Sequence, residues 1–513
     1  MRLACLGVVS VLLLVGCTTP ARLAVDERAW IQLETENFTI WTCVSEARAR
    51  RLGQRMELFR SVAEFVIGQR LPKARLPIRM IAFPDLPTYS TFAGRGSAGL
   101  YMPSMSENFM LASLKWSRAG GTTTSVIQHE YVHFLLDQHA KFIYPAWYHE
   151  GFAELLGATR FRGNDVEIGG ITKHGVPFVT FRHRDVWTHV RDLLSYGVGG
   201  HSGDDVGQRY PESWALVHYL YFGRKGMGTG PRQVALYLQL IAEGSSVSDA
   251  VEAAYGVNVD TLDEELRAYV TKGHYPGATI DRSKFPSAPE PKVTPLPRID
   301  VARQLGELAR LFGNDREARN YFERALAIEP DDAGALMGHA LLLADDENNE
   351  EAEAMARAAL AAAPEDARMH RIAGDILRQR AADEKEDPAE RAALARRARK
   401  HYVRSWKLDD SVPATYASYG STFLLDGQEA ARGLKTLEHA HAMLPTSIPI
   451  LNWLARVHMQ VGSRDEARRL ALMAYSSPIY GSGSMREDDV EKLEELLDET
   501  GGVPRDADDQ EDD

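Results

Sequence analysis

The chain has 513 residues, too many for one compact core, which sets an expectation of two or three domains. Its apolar fraction of 44% is ordinary for globular domains, and its formal net charge of -13 excludes a generic nucleic-acid binder, since backbone phosphates would be repelled. Part of that charge sits in a short acidic tail within residues 500–513, Asp506 to Asp513, expected to be solvated and disordered.

The chain opens with Met1-Arg2, an apolar run from Leu3 to Val15, then Gly16-Cys17. The run is too short for a mature membrane span and reads as a signal-peptide core over residues 1–16. Leu14-Val15-Gly16-Cys17 resembles the lipobox of bacterial lipoproteins. The resemblance implies that Cys17 becomes the first mature residue and carries lipids that anchor the chain in a membrane. Thr18 and Thr19 lack the Asp that retains such proteins in the inner membrane, so the expected location is the outer membrane, facing the periplasm. With Cys5 removed and Cys17 lipidated, only Cys43 remains, and no internal disulfide can form. No other segment is long and apolar enough to cross a bilayer.

Residues 26–274 mix strand-like and helical periods. Within them Thr122-Thr123-Thr124-Ser125 suits a helix N-terminus and precedes Val126-Ile127-Gln128-His129-Glu130-Tyr131-Val132-His133. His129 and His133 are i and i+4, so both imidazoles leave one helix face and can grip one metal ion. Glu130 is displaced around the helix and can reach a water on that ion, which is the requirement for metal-assisted hydrolysis.

A second helix is expected from Pro145, through Trp147-Tyr148-His149-Glu150-Gly151-Phe152-Ala153-Glu154. Returning beside the first, it offers Glu150 or Glu154 as a third ligand, while His149 would point elsewhere. Two His and one carboxylate leave a position open for water. The pair of segments resembles the gluzincins, whose aminopeptidases follow HExxH with W-x-x-E-G-x-A. Here the matching residues are His129, Glu130, His133, Trp147, Glu150, Gly151 and Ala153. The resemblance implies an α+β, thermolysin-like metallopeptidase domain of the peptidase-MA-like kind. In it His129, His133 and Glu150 bind zinc (Zn2+), Glu130 is general base, and Glu154 orients a ligating imidazole.

In the same family a Tyr on a later helix donates to the oxyanion; the stretch Gln208 to His218 makes Tyr210 the candidate, although Pro211 and Ser213 depart from the pattern. The family lays its peptide along an edge strand, here Ser97 to Tyr101 or Asn108 to Ala112. The exopeptidase motif of the aminopeptidases is absent, so the expected activity is that of an endopeptidase. His139, His201 and His218 are set aside as ordinary polar or core residues.

Residues 275–297 are rich in Pro (Pro276, Pro286, Pro289, Pro291, Pro295, Pro297) and read as a linker. Residues 298–478 are helical and repeat. Gly306, Ala318, Phe322, Ala325 and Pro330 find counterparts, shifted by about 34 residues, in Ala340, Ala352, Ala356, Ala359 and Pro364. The pattern resembles the tetratricopeptide repeat: small residues where two helices cross, and Pro where the second stops. About five units are expected, the third interrupted by an insertion from Ala382 to Glu390, with a capping helix near Val490 to Leu497. Such an all-α solenoid offers a groove for a protein partner. The sequence therefore predicts an envelope lipoprotein that hydrolyses peptide bonds of envelope proteins, its repeats recruiting substrate or partner. The alternative is an inactive envelope scaffold that acts through the solenoid.

Overall fold

The computed structural model describes residues 24–94, 97–115, 117–118, 121–171, 187–195, 206–425, 430–477 and 487–502. Cys17 with its signal segment and Asp506 to Asp513 lie outside the described residues. No described helix is long and apolar enough to cross a membrane.

Five strands of the first half, β1 (Ile31–Glu34), β2 (Thr39–Thr42), β3 (Ile78–Phe83), β4 (Gly99–Met102) and β5 (Asn108–Ser113), join a strand from far downstream, β11 (Lys292–Pro295). They make one mixed sheet in the order β11-β1-β2-β3-β5-β4. The pairs β2–β3 and β3–β5 are parallel; β11, β1 and β4 pair antiparallel with their neighbours. The parallel step from β2 to β3 needs a crossover, and α1 (Glu46–Ile67) supplies it. That helix ends where Gly68 takes φ 80°, a left-handed stop. It lies so close on the sheet that a Cβ at Gly53 would stand 2.5 Å from Leu33 Cδ2.

The central strands are apolar on both faces, and the alternation sorts their side chains into two cores. Ile78, Met80, Ala82, Met110 and Ala112 face α1 and the later helices. Ile81, Phe83, Phe109 and Leu111 face the other way, against Val301, Leu305, Ala318 and Phe322 of the repeats. The sheet is thus a layer shared by both halves of the chain.

A short helix, α2 (Leu86–Ala93), lies between β3 and β4 in the chain, and after β5 comes a two-stranded ribbon of β6 (Ser117–Arg118) and β7 (Gly121–Thr122). The chain continues through α3 (Thr123–His139), α4 (Ala146–Gly157), β8 (Arg160–Arg162) and β9 (Asp165–Ile168). Then come α5 (Val190–Leu194), α6 (Val206–His218) with a π-helical extension over Tyr219–Gly223, α7 (Gly230–Ala242), α8 (Val247–Tyr255) and α9 (Val259–Lys272).

Residues 275–297, expected as a linker, instead contribute two strands to the sheets. β10 (Ala278–Asp281) pairs with β9, and β11 pairs with β1 through Val293 opposite Leu33. Leu296 N–H donates to Trp30 O at 2.9 Å. Proline is tolerated there because β11 is an edge strand, with one side free of ladder bonds.

The second half is a run of helix pairs: α10 (Arg298–Leu311) with α11 (Asp315–Ile328), α12 (Ala333–Asp345) with α13 (Asn349–Ala362), α14 (Ala367–Ala382) with α15 (Pro388–Leu408), α16 (Pro413–Ser421) with α17 (Ala430–Met443), and α18 (Ile448–Gln460) with α19 (Arg464–Tyr475). Phe322 sits between two crossings: a Cβ on Gly306 or on Gly338 would come within 2.7 and 2.3 Å of its ring. The insertion of the third unit is taken up in a short turn and in α15, which starts at Pro388 and runs 21 residues. A last helix, α20 (Glu487–Glu499), covers the end of the stack with Leu493, Leu496 and Leu497.

The array touches the first half at both ends. Beyond the shared core, Arg324 pairs with the buried Asp26 at 2.6 Å, and Arg79 donates to Gln304 at 2.6 Å. Further along, Leu76 packs into the core of α16–α20, and Ala414 N–H donates to Met105 O at 3.0 Å.

Candidate metal centre

The α3–α4 pair holds the candidate site, and small residues set its closeness. A Cβ on Gly157 of α4 would stand 3.2 Å from His129 Cβ, and one on Gly151 would meet the Ser213 carbonyl of α6 at 2.4 Å. Gly151 thereby lets α4 lie against α6 while its neighbour Glu150 turns toward α3. Trp147 is fully buried and packs edge-on against Tyr237, 5.9 Å between ring centroids. The tryptophan of the motif therefore anchors α4 in the core.

One atom each from His129, His133 and Glu150 lies within 4.8 Å of the others. The two Nε2 atoms are 3.0 Å apart, and Glu150 Oε2 is 3.6 Å from each. That same Oε2 is buried without a hydrogen-bond partner, as is His133 Nδ1. A buried carboxylate oxygen left unmatched is costly, and its placement before two imidazole nitrogens fits a cation between them. Two nitrogens and one oxygen are donors that zinc accepts, and they leave room for a fourth ligand.

Glu154, one turn on, stands 3.6 Å from His129 Nδ1, the nitrogen on the far side of the ring. This is where a carboxylate steadies a ligating imidazole. Glu154 is thus not a third ligand beside Glu150 in this geometry. Glu130 points to the sheet edge, where its Oε2 accepts the Tyr101 N–H of β4 at 2.8 Å. The approach needs Gly99: a Cβ there would stand 2.4 Å from Val126 Cγ1 and 3.1 Å from Glu130 Cγ. Of the two candidate edge segments, the one ending in Tyr101 is the edge strand, and Asn108 to Ala112 lies inside the sheet.

The charges are strongly coupled. Burial alone would push the His129 imidazole down, but Glu150, Glu154 and Glu130 outweigh it and carry its pKa up to about 9. Burial holds His133 well below its ordinary value, in the neutral form that can ligate. Burial would raise the Glu150 carboxyl, but the imidazoles of His133, His129 and His149 hold it well below the usual carboxylate range. Burial pushes the Glu130 carboxyl up, against the pull of His129 and the Tyr101 N–H.

Sequence reading missed the part played by His149 and Asp137. His149 was expected to point elsewhere, yet its ring stacks on His133 with centroids 4.3 Å apart. Its Nε2 is 3.4 Å from Asp137 Oδ1, and its Nδ1 is 4.0 Å from Glu150 Oε1. Burial would lower it, but Asp137 and Glu150 carry its pKa up to about 9. The available signal was that Asp137 stands four residues after His133, on the same helix face. Tyr210 lies on α6, and its side chain is outside the described residues. His218 is a core residue: Nε2 lies 2.9 Å from Gly169 O and Nδ1 2.8 Å from the Tyr269 hydroxyl.

Comparison with known proteins bears on the repeats. The tetratricopeptide repeat family matches residues 313–376, which run from the second helix of the first pair to the first helix of the third. No curated protein matches the chain. Similar solved structures include a thermophilic tetratricopeptide protein of Thermus thermophilus, at 19% identity and TM-score 0.34, covering 39% of this chain and 98% of that one. Another is PilW, described as a widely conserved type IV pilus biogenesis factor, at 20% identity and TM-score 0.33, covering 40% of this chain and 87% of that one. The family match and the successive helix pairs define a chain with a tetratricopeptide solenoid, joined to a sheet-containing N-terminal region that carries the His–Glu cluster.

Proposed function

We propose that the chain is a zinc-dependent peptidase of gluzincin type, acting as an endopeptidase. The observation that supports it most is the orphaned Glu150 Oε2 facing two imidazole nitrogens, with Glu130 alongside. His129, His133 and Glu150 would hold the ion, which when bound supplies a Lewis acid for the scissile carbonyl and lowers the pKa of a water. Glu130 takes a proton from the attacking water as its oxygen bonds to the carbonyl carbon. The carbon–nitrogen bond then breaks, and Glu130 returns the proton to the leaving amine. Burial raises the Glu130 carboxyl, the direction that makes it a stronger proton acceptor. Glu154 keeps the His129 ring in place, and Tyr210 is proposed as donor to the developing oxyanion. The N-terminal pattern ending in Cys17 supports a lipid-anchored protein of the bacterial envelope, at the outer membrane facing the periplasm.

The family match favours a second reading, a scaffold that binds other proteins through its repeats. Its supporting feature is a groove of about 680 Å³ in the array, lined by Asp345, Arg378, Arg380, Leu425, Trp453 and Arg456 among others. One experiment separates the two: zinc per chain, and cleavage of casein and of envelope extracts, for the native protein and for Glu130→Gln. The peptidase reading expects about one zinc in both proteins and cleavage only by the native one. Zinc without cleavage by either leaves the scaffold reading.

A further inference from the structure

A cavity of about 280 Å³ lies between the two halves of the chain, beside the metal-binding cluster. One wall is His149 with Asp137, and the His149 ring stacks on that of His133. A second wall is Pro103, Ser104 and Met105, the direct continuation of edge strand β4. The loop from α3 to α4 adds Phe142 and Ile143. The remaining side is foreign to the site: Leu444, Thr446 and Ile448, from the turn between α17 and α18 of the solenoid. Apolar side chains, among them Met105, Phe142, Ile143, Leu444 and Ile448, make up the larger part of the lining, with polar groups on both the His149 side and the solenoid side.

We propose that this cavity takes a bulky apolar side chain of the polypeptide substrate, so that a turn of the repeat array sets the cleavage preference. The inference rests on the peptidase reading above. Two observations carry it. First, β4 has an open edge, and Glu130 is bonded to the Tyr101 N–H on it. Pro103 to Met105 follow directly where β4 ends at Met102, two to four residues past Tyr101, and all three line the cavity. A peptide lying along β4 with its scissile bond near Glu130 therefore brings a side chain two to four residues away into the cavity. Second, the solenoid is held at this place by the Ala414–Met105 hydrogen bond and by Leu76 in its core, so its turn is a fixed wall. An apolar, partly enclosed space favours an apolar occupant, which leaves water without giving up hydrogen bonds.

Thr446 lies in the solenoid turn, outside the His129–His133–Glu150 cluster, and is half-buried, so Thr446→Trp fills the cavity from the solenoid side. The assay uses the full chain with a fluorogenic peptide library varied at the positions flanking the cleaved bond. The native protein is expected to favour Phe, Leu or Met at one flanking position. Thr446→Trp should lower kcat/KM for those peptides about tenfold or more and for their Ala counterparts less than about twofold, zinc content unchanged. Thr446→Lys, which puts a charge in the same space, serves if the Trp variant does not fold. Cleavage with an unchanged preference profile in the variants overturns the inference.

A binding arm keeps the two readings apart. Anisotropy of a fluorescein-labelled hexapeptide with a central Phe is followed on Glu130→Gln protein, with and without Thr446→Trp. Weaker binding in the double variant with no cleavage by the native chain keeps the pocket and removes the peptidase reading. Equal binding in both removes the pocket.

Discussion

The α10–α11 pair and the α3–α4 pair are built on the same device and put to different use. In both, small residues let two helices approach: Gly306 against Phe322 in the first, Gly157 against His129 in the second. In the repeat the space between helices is filled by an aromatic ring, buried with Ala318 and Ala325, and the crossing is complete as it stands. In the α3–α4 pair it is filled by two imidazoles and a carboxylate, one oxygen of which faces both imidazoles at 3.6 Å with no hydrogen-bond partner. Burying polar groups without hydrogen-bond partners costs stability, so the contrast teaches that the α3–α4 crossing, unlike the repeat, is left incomplete by its own side chains.

The sharpest way to break that contrast is Glu130→Gln. If α3–α4 is a catalytic site, peptide cleavage should fall about 10²–10⁴-fold while zinc content and melting temperature hold. A cleaving Gln variant would remove Glu130 from its role. Next in size is Phe83→Ala, in the layer the two halves share. It should cost about 3–5 kcal/mol in denaturant unfolding, and zinc release and helix loss should move together. Separate transitions would show that the halves are independent after all.

A smaller effect concerns acid. Burial lowers the pKa of His218 to about 4, so the unfolded chain, whose His titrates near 6.5, binds a proton that the folded chain does not. The stability due to the neutral ring is therefore complete above about pH 6.5 and lost as pH falls toward 4. His218→Phe should be the less stable protein at pH 7, with the gap closing by about 2–3 kcal/mol on going to pH 4. A gap that stays constant across that range would mean His218 does not titrate as its burial implies. Smallest is Glu154→Gln: zinc affinity, measured by competition with a chelator, should weaken about 10–100-fold, through looser orientation of His129. An unchanged affinity would assign Glu154 to packing alone.

What the sequence by itself determined is what repeats or recurs locally. The His129–His133 spacing places two imidazoles on one helix face whatever the rest of the chain does. The recurrence of small residues and Pro marks the helix pairs, because each unit buries its face only against the next. What the tertiary structure alone decided depends on residues far apart in the chain. The Pro-rich stretch 275–297 became strands because β1 and β9 offered it open edges, and no local pattern records an available edge. The apolar runs of β3 and β5 carried a sign of burial on both faces, but not that the repeats would supply the second cover. His149 came to face His133 only when α4 seated its Trp147 in the core and Gly151 against α6. The cavity beside it has walls from both halves of the chain, so it exists only where the solenoid comes to rest on the sheet.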